Sequence, residues 1–247
     1  MACFRLNHDE GYATPAAMVL ALGLALLGAG VTARALQGLA LSRTAFEQSR
    51  QIYALDGAQL QAAAAVVRSG GDAPFAWDLS TDVGWVRVLA EPEAGKLSLQ
   101  AAARLDDAVL STFGAADPEH VRQRLAEAAA SSRAADPSDF AADPTWRACA
   151  GRFASRFGAA EAYGWAEPRE PGVGSDEPNW HVGETWRIRV TSLAGWRDDR
   201  VVRFTGDARR PAAIVVRRFY RGARDHIECS DKLKALEGAA LARQATP

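Results

Sequence analysis

Residues Gly11–Ala33 read GYATPAAMVLALGLALLGAGVTA, twenty-three residues without a single charge. At about 1.5 Å per residue this run makes a helix about 35 Å long, against a bilayer core of about 30 Å. It predicts a membrane span over residues 12–33 and makes the rest of the chain a tethered domain. The chain has 247 residues and a formal net charge of −1, so no global attraction to nucleic acid or anionic lipid is built in. The remainder of the chain is long enough for one domain or two small ones.

Three uses of the apolar run compete. A secretory signal has an apolar core of roughly 7–15 residues ahead of a small-x-small cleavage site. Thr32-Ala33-Arg34-Ala35 offers such a site, but the core before it is too long. A permanent anchor fits the length. A third use starts from Gly11-Tyr12: residues 1–11 are removed as a leader and the apolar helix is retained. Charge order bears on the topology. Arg5 precedes the run with Asp9 and Glu10, whereas Arg34, Arg43 and Arg50 come after it. The positive-inside rule, taken alone, leaves the domain in the cytoplasm, and the leader reading needs the opposite orientation.

Beyond the span, Leu36, Leu39, Phe46, Tyr53, Leu60, Ala64 and Val67 recur in steps of three, four or seven, one stripe on an amphipathic helix over residues 34–70 that Gly70-Gly71 ends. That stripe is expected to pack on the chain's own domain or beside a neighbouring subunit.

Residues 84–166 predict a mixed strand and helical unit. Trp85–Leu89 and Lys96–Leu99 read as two short strands flanking a turn at Glu91–Gly95, and Ala101–Phe113 as a helix. Asp117-Pro118-Glu119 is a helix start, with Asp as N-cap, Pro in the first position and acid in the first turn; Val121, Leu125, Ala128 and Ser132 supply its inner face. Pro144-Thr145 opens a further helix carrying Trp146, Cys149, Phe153 and Phe157 and stopping at Gly158. A Pro/Gly-rich linker covers 167–180. In 181–229 the period becomes two. Trp186, Ile188 and Val190 alternate with Arg187 and Arg189, and 200–205 and 212–220 repeat the pattern. The expectation is an antiparallel meander with one face on the core and an arginine-studded face in water. Residues 230–247 form a terminal helix or tail. The fold class is α+β: a long N-terminal helix, a small helical unit and an antiparallel meander.

Catalytic patterns are missing from the sequence. His8, His120, His181 and His226 are scattered without zinc-ligand spacing, and there is no G-x-S-x-G, P-loop or G-x-G-x-x-G. Asp106-Asp107 and Asp198-Asp199 are adjacent carboxylates whose side chains diverge, which predicts a helix start or a solvated turn rather than acid–base work. Asp176 and Glu177 in the linker are a candidate calcium site, since that hard cation takes flexible oxygen ligands. Cys149 and Cys229 form a candidate disulfide, with two free buried thiols as the alternative. The arginines of 209–224 predict a solvated sheet face or a protein-partner surface, not nucleic-acid binding.

The Gly11-Tyr12 junction, the retained apolar helix, the continuation Tyr53-Ala54-Leu55-Asp56-Gly57-Ala58, the element Gly95-Lys96-Leu97-Ser98-Leu99-Gln100 leading into helices, and a terminal sheet together resemble the K-type minor pseudopilins of bacterial type II secretion. The likeness covers most of the chain by order of parts. Ser98 and Gln100 stand where that family usually has asparagine-rich residues. The resemblance implies cleavage by a prepilin peptidase after Gly11 and methylation of Tyr12. It places Ala16 at the fifth mature position, where other pilins carry glutamate, and the lack of glutamate suits a subunit at the filament tip. It implies a non-enzymatic protein with no cofactor beyond calcium, held in the inner membrane by one span with a periplasmic head. Its partners would be other minor pseudopilins, the peptidase and the inner-membrane secretion assembly platform. The rivals are a single-pass anchored periplasmic interaction domain and a tight-adherence pilus-associated protein.

Overall fold

The computed structural model describes residues 13–69, 73–131, 135–164, 166–171, 181–207, 209–222, 229 and 231–234. The chain divides into two compact units, Met1–Ile52 and Tyr53–Pro247. Helix α1 runs Ala13–Ser69, 57 residues. In the first unit its large apolar side chains from Met18 to Phe46, among them Leu22, Leu27, Val31 and Leu39, are exposed. It is one helix long and apolar enough to cross a membrane.

The second unit is built on a five-stranded antiparallel sheet. Its strands are β1 (Phe75–Thr81), β2 (Gly84–Pro92), β5 (Thr185–Ser192), β6 (Trp196–Asp207) and β7 (Arg210–Arg221), lying in the order β1-β2-β5-β6-β7. Strand β1 is not among the expected elements, although Phe75, Trp77 and Leu79 alternate with Ala76, Asp78 and Ser80. Gly84 at φ +104° and Gly195 at φ +84° close the β1–β2 and β5–β6 hairpins in a backbone region that L side chains rarely adopt.

Between β2 and β5, which are neighbours in the sheet, lies the helical unit: β3 (Leu97–Ser98), α2 (Leu99–Ala102), α3 (Asp107–Thr112), α4 (Pro118–Ala130), a 3-10 turn at Pro137–Asp139, α5 (Pro144–Phe153) and β4 (Ala154–Ser155). Three expectations are corrected here. Lys96–Leu99 does not return on Trp85–Leu89; β2 pairs with β1 and β5, and β3 pairs in parallel with β4. Ala101–Phe113 is two short helices, broken where Ala103, Arg104 and Leu105 leave the α-helical path before Asp106 starts α3. α5 ends at Phe153, not Gly158, because Ala154 turns extended to join β3. The α4 start is as expected: Asp117 accepts a hydrogen bond from the His120 amide at 3.0 Å, with Pro118 behind it. Trp146, Phe153, Phe113, Leu110, Leu125 and Leu97 fill the centre of this unit.

The end of α1 seats Leu55, Ala58, Ala62 and Val66 on one sheet face, in a cluster with Trp77, Val88, Ile188, Val190, Val202 and Phe204. The stripe read from the sequence points elsewhere: Tyr53 is 76% and Leu60 67% exposed. Ala54, Ala58 and Ala62 recur at every fourth position on the buried face beside Leu55 and Val66, while Tyr53 and Leu60 face outward.

Candidate functional site

The charged face of the sheet is the second large correction. Arg187 and Arg189 on β5 and Asp199 on β6 are about as buried as the core, at 3–4% exposed, and the helical unit covers them. The period-two pattern placed Arg187 and Arg189 on one face, as found, but that face is not in water. Arg187 sits among three carboxylates: its Nε donates to Glu93 Oε1 at 3.2 Å, Nη2 to Asp136 Oδ2 at 2.9 Å and Nη1 to Asp199 Oδ2 at 3.3 Å. Arg189 Nη2 donates to the same Asp199 oxygen at 3.1 Å. Glu93 also binds Lys96 and the Ser155 hydroxyl, while Arg152 Nε on α5 donates to Glu91 Oε1 at 2.9 Å. Lys96 Nζ reaches the Gly151 carbonyl at 2.7 Å. Gly151 is glycine for a reason: a Cβ there would come within 2.8 Å of the Arg187 guanidinium.

The centre of this layer sets four cations (Lys96, Arg152, Arg187, Arg189) against four carboxylates (Glu91, Glu93, Asp136, Asp199), with the partly exposed Arg218 3.8 Å from Asp136 at its margin. Burial alone would push the Glu91 carboxyl up, but the charges of Arg152, Lys96 and Arg189 outweigh it and hold it at about 2. Asp136 and Asp199 are likewise lowered: burial opposes, and Arg187 with Arg218 or Arg189 prevails. The Arg187 guanidinium is raised against its own desolvation by Asp136, Asp199 and Glu93. Each charged side chain is paired with another, although Asp199 Oδ1 is buried without a hydrogen-bond partner, so the layer's chemistry is that of a clamp between sheet and helical unit. A shallow cleft of about 80 Å³ opens beside Glu91, Lys96, Arg152 and Tyr163.

The opposite face has a smaller charged cluster. Asp198, fully buried, accepts from Arg200 Nε at 3.1 Å and Arg217 Nη2 at 3.3 Å, and Asp56 of α1 pairs with the same two arginines. Asp198-Asp199 is thus neither a turn nor solvated. The two carboxylates diverge as expected of adjacent residues, but each enters a buried ion cluster on its own side of β6. Gln59 of α1 donates to the carbonyls of Ile188 at 2.9 Å and Asp198 at 2.8 Å. Complementary charges at paired positions, such as Arg189 opposite Asp199, were the sequence signal for the main layer. Glu91, Glu93, Lys96, Asp136 and Arg152 gave none, because they come from loops and elements far apart in sequence.

Cys149 of α5 is bonded to Cys229, with Cα atoms 5.4 Å apart and a sequence separation of 80. The bond brings a C-terminal segment onto the helical unit, where Leu233 is fully buried and Lys232 Nζ donates to the Thr112 carbonyl at 2.9 Å. Gly11, Tyr12, Asp176 and Glu177 lie outside the described residues. Ala16 falls within α1, with its side chain outside the description. Among the described residues no three histidine, cysteine or acidic side chains are placed to hold a metal ion. His120 and His181 are exposed.

Compared with known proteins, the chain matches no family model, no curated protein and no solved structure.

Proposed function

We propose that this chain is a non-enzymatic, K-type minor-pseudopilin-like subunit of a type II secretion pseudopilus, acting at its tip. One observation carries the reading. The single helix α1 exposes every large apolar side chain from Met18 to Leu41, and its last turns are built into the core of a folded unit. A helix of that kind serves both as the membrane span and as the spine of its own head domain. Leu60 and Tyr53 remain exposed on the side away from the sheet, which suits packing beside the helices of other subunits. The Cys149–Cys229 bond is chemistry of an oxidising compartment and supports a periplasmic head. The work of such a subunit is assembly: other minor pseudopilins pack along α1, the prepilin peptidase cuts after Gly11 and methylates Tyr12, and the inner-membrane platform receives the product.

The test is the intact mass and N-terminal sequence of the full chain made in cells with an active prepilin peptidase and in cells without it. A mature chain beginning at methylated Tyr12 only when the peptidase is present is the expected result. An uncut Met1, or a cut near Ala33 whether or not the peptidase is there, would overturn the reading and leave an anchored or secreted domain of another kind.

A further inference from the structure

The two edges of the sheet are finished differently. At β1 a neighbouring stretch of chain closes the edge: the Ala76 amide donates to the Arg169 carbonyl at 2.9 Å, and the Arg169 amide to the Pro74 carbonyl at 3.0 Å. At the other end β7 spans twelve residues, and its outer edge has no backbone partner among the described residues. Ala212-Ala213-Ile214-Val215-Val216 carries no charge, proline or glycine, and Ile214 is 53% exposed. Such an edge is a template for another strand, blunted here only by Pro211 at one end and by the register shift that leaves Val215 without a partner on β6.

Charge decides what the strand is. Residues 209–222 hold Arg209, Arg210, Arg217, Arg218 and Arg221 and no acid. Arg217 and Arg218 are engaged by Asp56, Asp198, Asp136 and Asp139. Arg209 and Arg210 are exposed at one end, and Arg221, stacked over Trp196, at the other. A second copy pairing antiparallel about Val215–Val216 would set Arg210 against Arg221 at both ends, an opposition of like charges. We propose that β7 receives an extended segment of a partner protein, β-branched in its middle and acidic at its flanks, as a sixth strand. It would do so whether or not the chain is a filament subunit.

The probe is a blocked, fluorescein-labelled peptide of about twelve residues with a valine–threonine core between glutamate pairs, titrated onto the full chain in detergent micelles. Binding is expected to slow amide exchange across residues 210–221 and to weaken with salt. Of two versions N-methylated on alternate residues in opposite phase, one should lose binding and the other keep it, because an added strand uses only one of its edges. Joint substitution Arg209→Glu and Arg210→Glu should raise the Kd about tenfold while exchange at Ile188 and Val190 stays slow, showing an intact sheet. Binding that ignores N-methylation phase, protection that falls elsewhere, no binding at all, or a chain that dimerises through these same amides would each overturn the proposal.

Discussion

Toward α1, the sheet buries Trp186, Ile188 and Val190 in an apolar cluster with Leu55, Ala58 and Phe204; toward the helical unit, Arg187 and Arg189, their neighbours on the same strand, are buried as deeply among carboxylates. The apolar contact gains from nearly every square ångström removed from water and tolerates small shifts. An ion layer gains much less net, since desolvating each charge offsets most of the attraction, but it fails sharply when one member is missing. α1 is therefore held to the sheet mainly by burial, and the helical unit by geometry together with a covalent tie between α5 and the C-terminal segment.

Adjacent residues on β5 allow the contrast to be broken one face at a time. Arg187→Leu leaves Glu93, Asp136 and Asp199 short of a cation and should cost about 3–5 kcal/mol near neutral pH, read by urea unfolding of the full chain in micelles through its tryptophan fluorescence. The deficit should shrink in acid as the orphaned carboxylates protonate; a constant deficit would mean that lost packing, not charge, is responsible. Ile188→Ala, on the apolar face, should cost about 2–4 kcal/mol by cavity formation and show no such pH dependence.

Acid sharpens the comparison in the unmodified chain. Glu91 has an ordinary value of 4.5 and is held at about 2 in the fold, so its ionised form favours folding. That contribution is complete above about pH 4.5 and drains away as pH falls toward 2, with Asp136 and Asp199, also lowered, adding to the loss. The urea midpoint should fall across that window, and Glu91→Gln should flatten part of the fall; a midpoint level across the same acid range would contradict the layer's role. The smallest effect belongs to the exposed pair Arg87–Asp78, 3.2 Å apart with both side chains more than half exposed. Asp78→Asn should change stability by no more than about 0.5 kcal/mol and should respond to salt.

The strands β5, β6 and β7 and the helices α4 and α5 were legible in residue order because alternation and capping are local. Period two says which residues share a face; it says nothing of what covers that face. Arg187 and Arg189 read as solvated, since a buried paired arginine and a wet one look alike in one strand, and Glu93 and Asp136 arrive from far along the chain. The α1 stripe misled for a related reason. Leu39, Phe46, Tyr53 and Leu60 carry the large apolar surface, whereas the buried face is marked by Ala54, Ala58 and Ala62 beside Leu55 and Val66.

The helical unit enters and leaves the sheet at one point, where the Glu93 amide donates to the Thr185 carbonyl at 2.9 Å. During synthesis β2 is therefore made long before its neighbour β5, and the pairing must wait for the whole insertion, a non-local closure that slows folding. A half-built sheet with an oily outer face would be prone to clump with its neighbours in that interval. The face of β5 and β6 that the helical unit covers is made last, after its cover, and is studded with arginine and aspartate, so until the two dock it is wetted rather than oily.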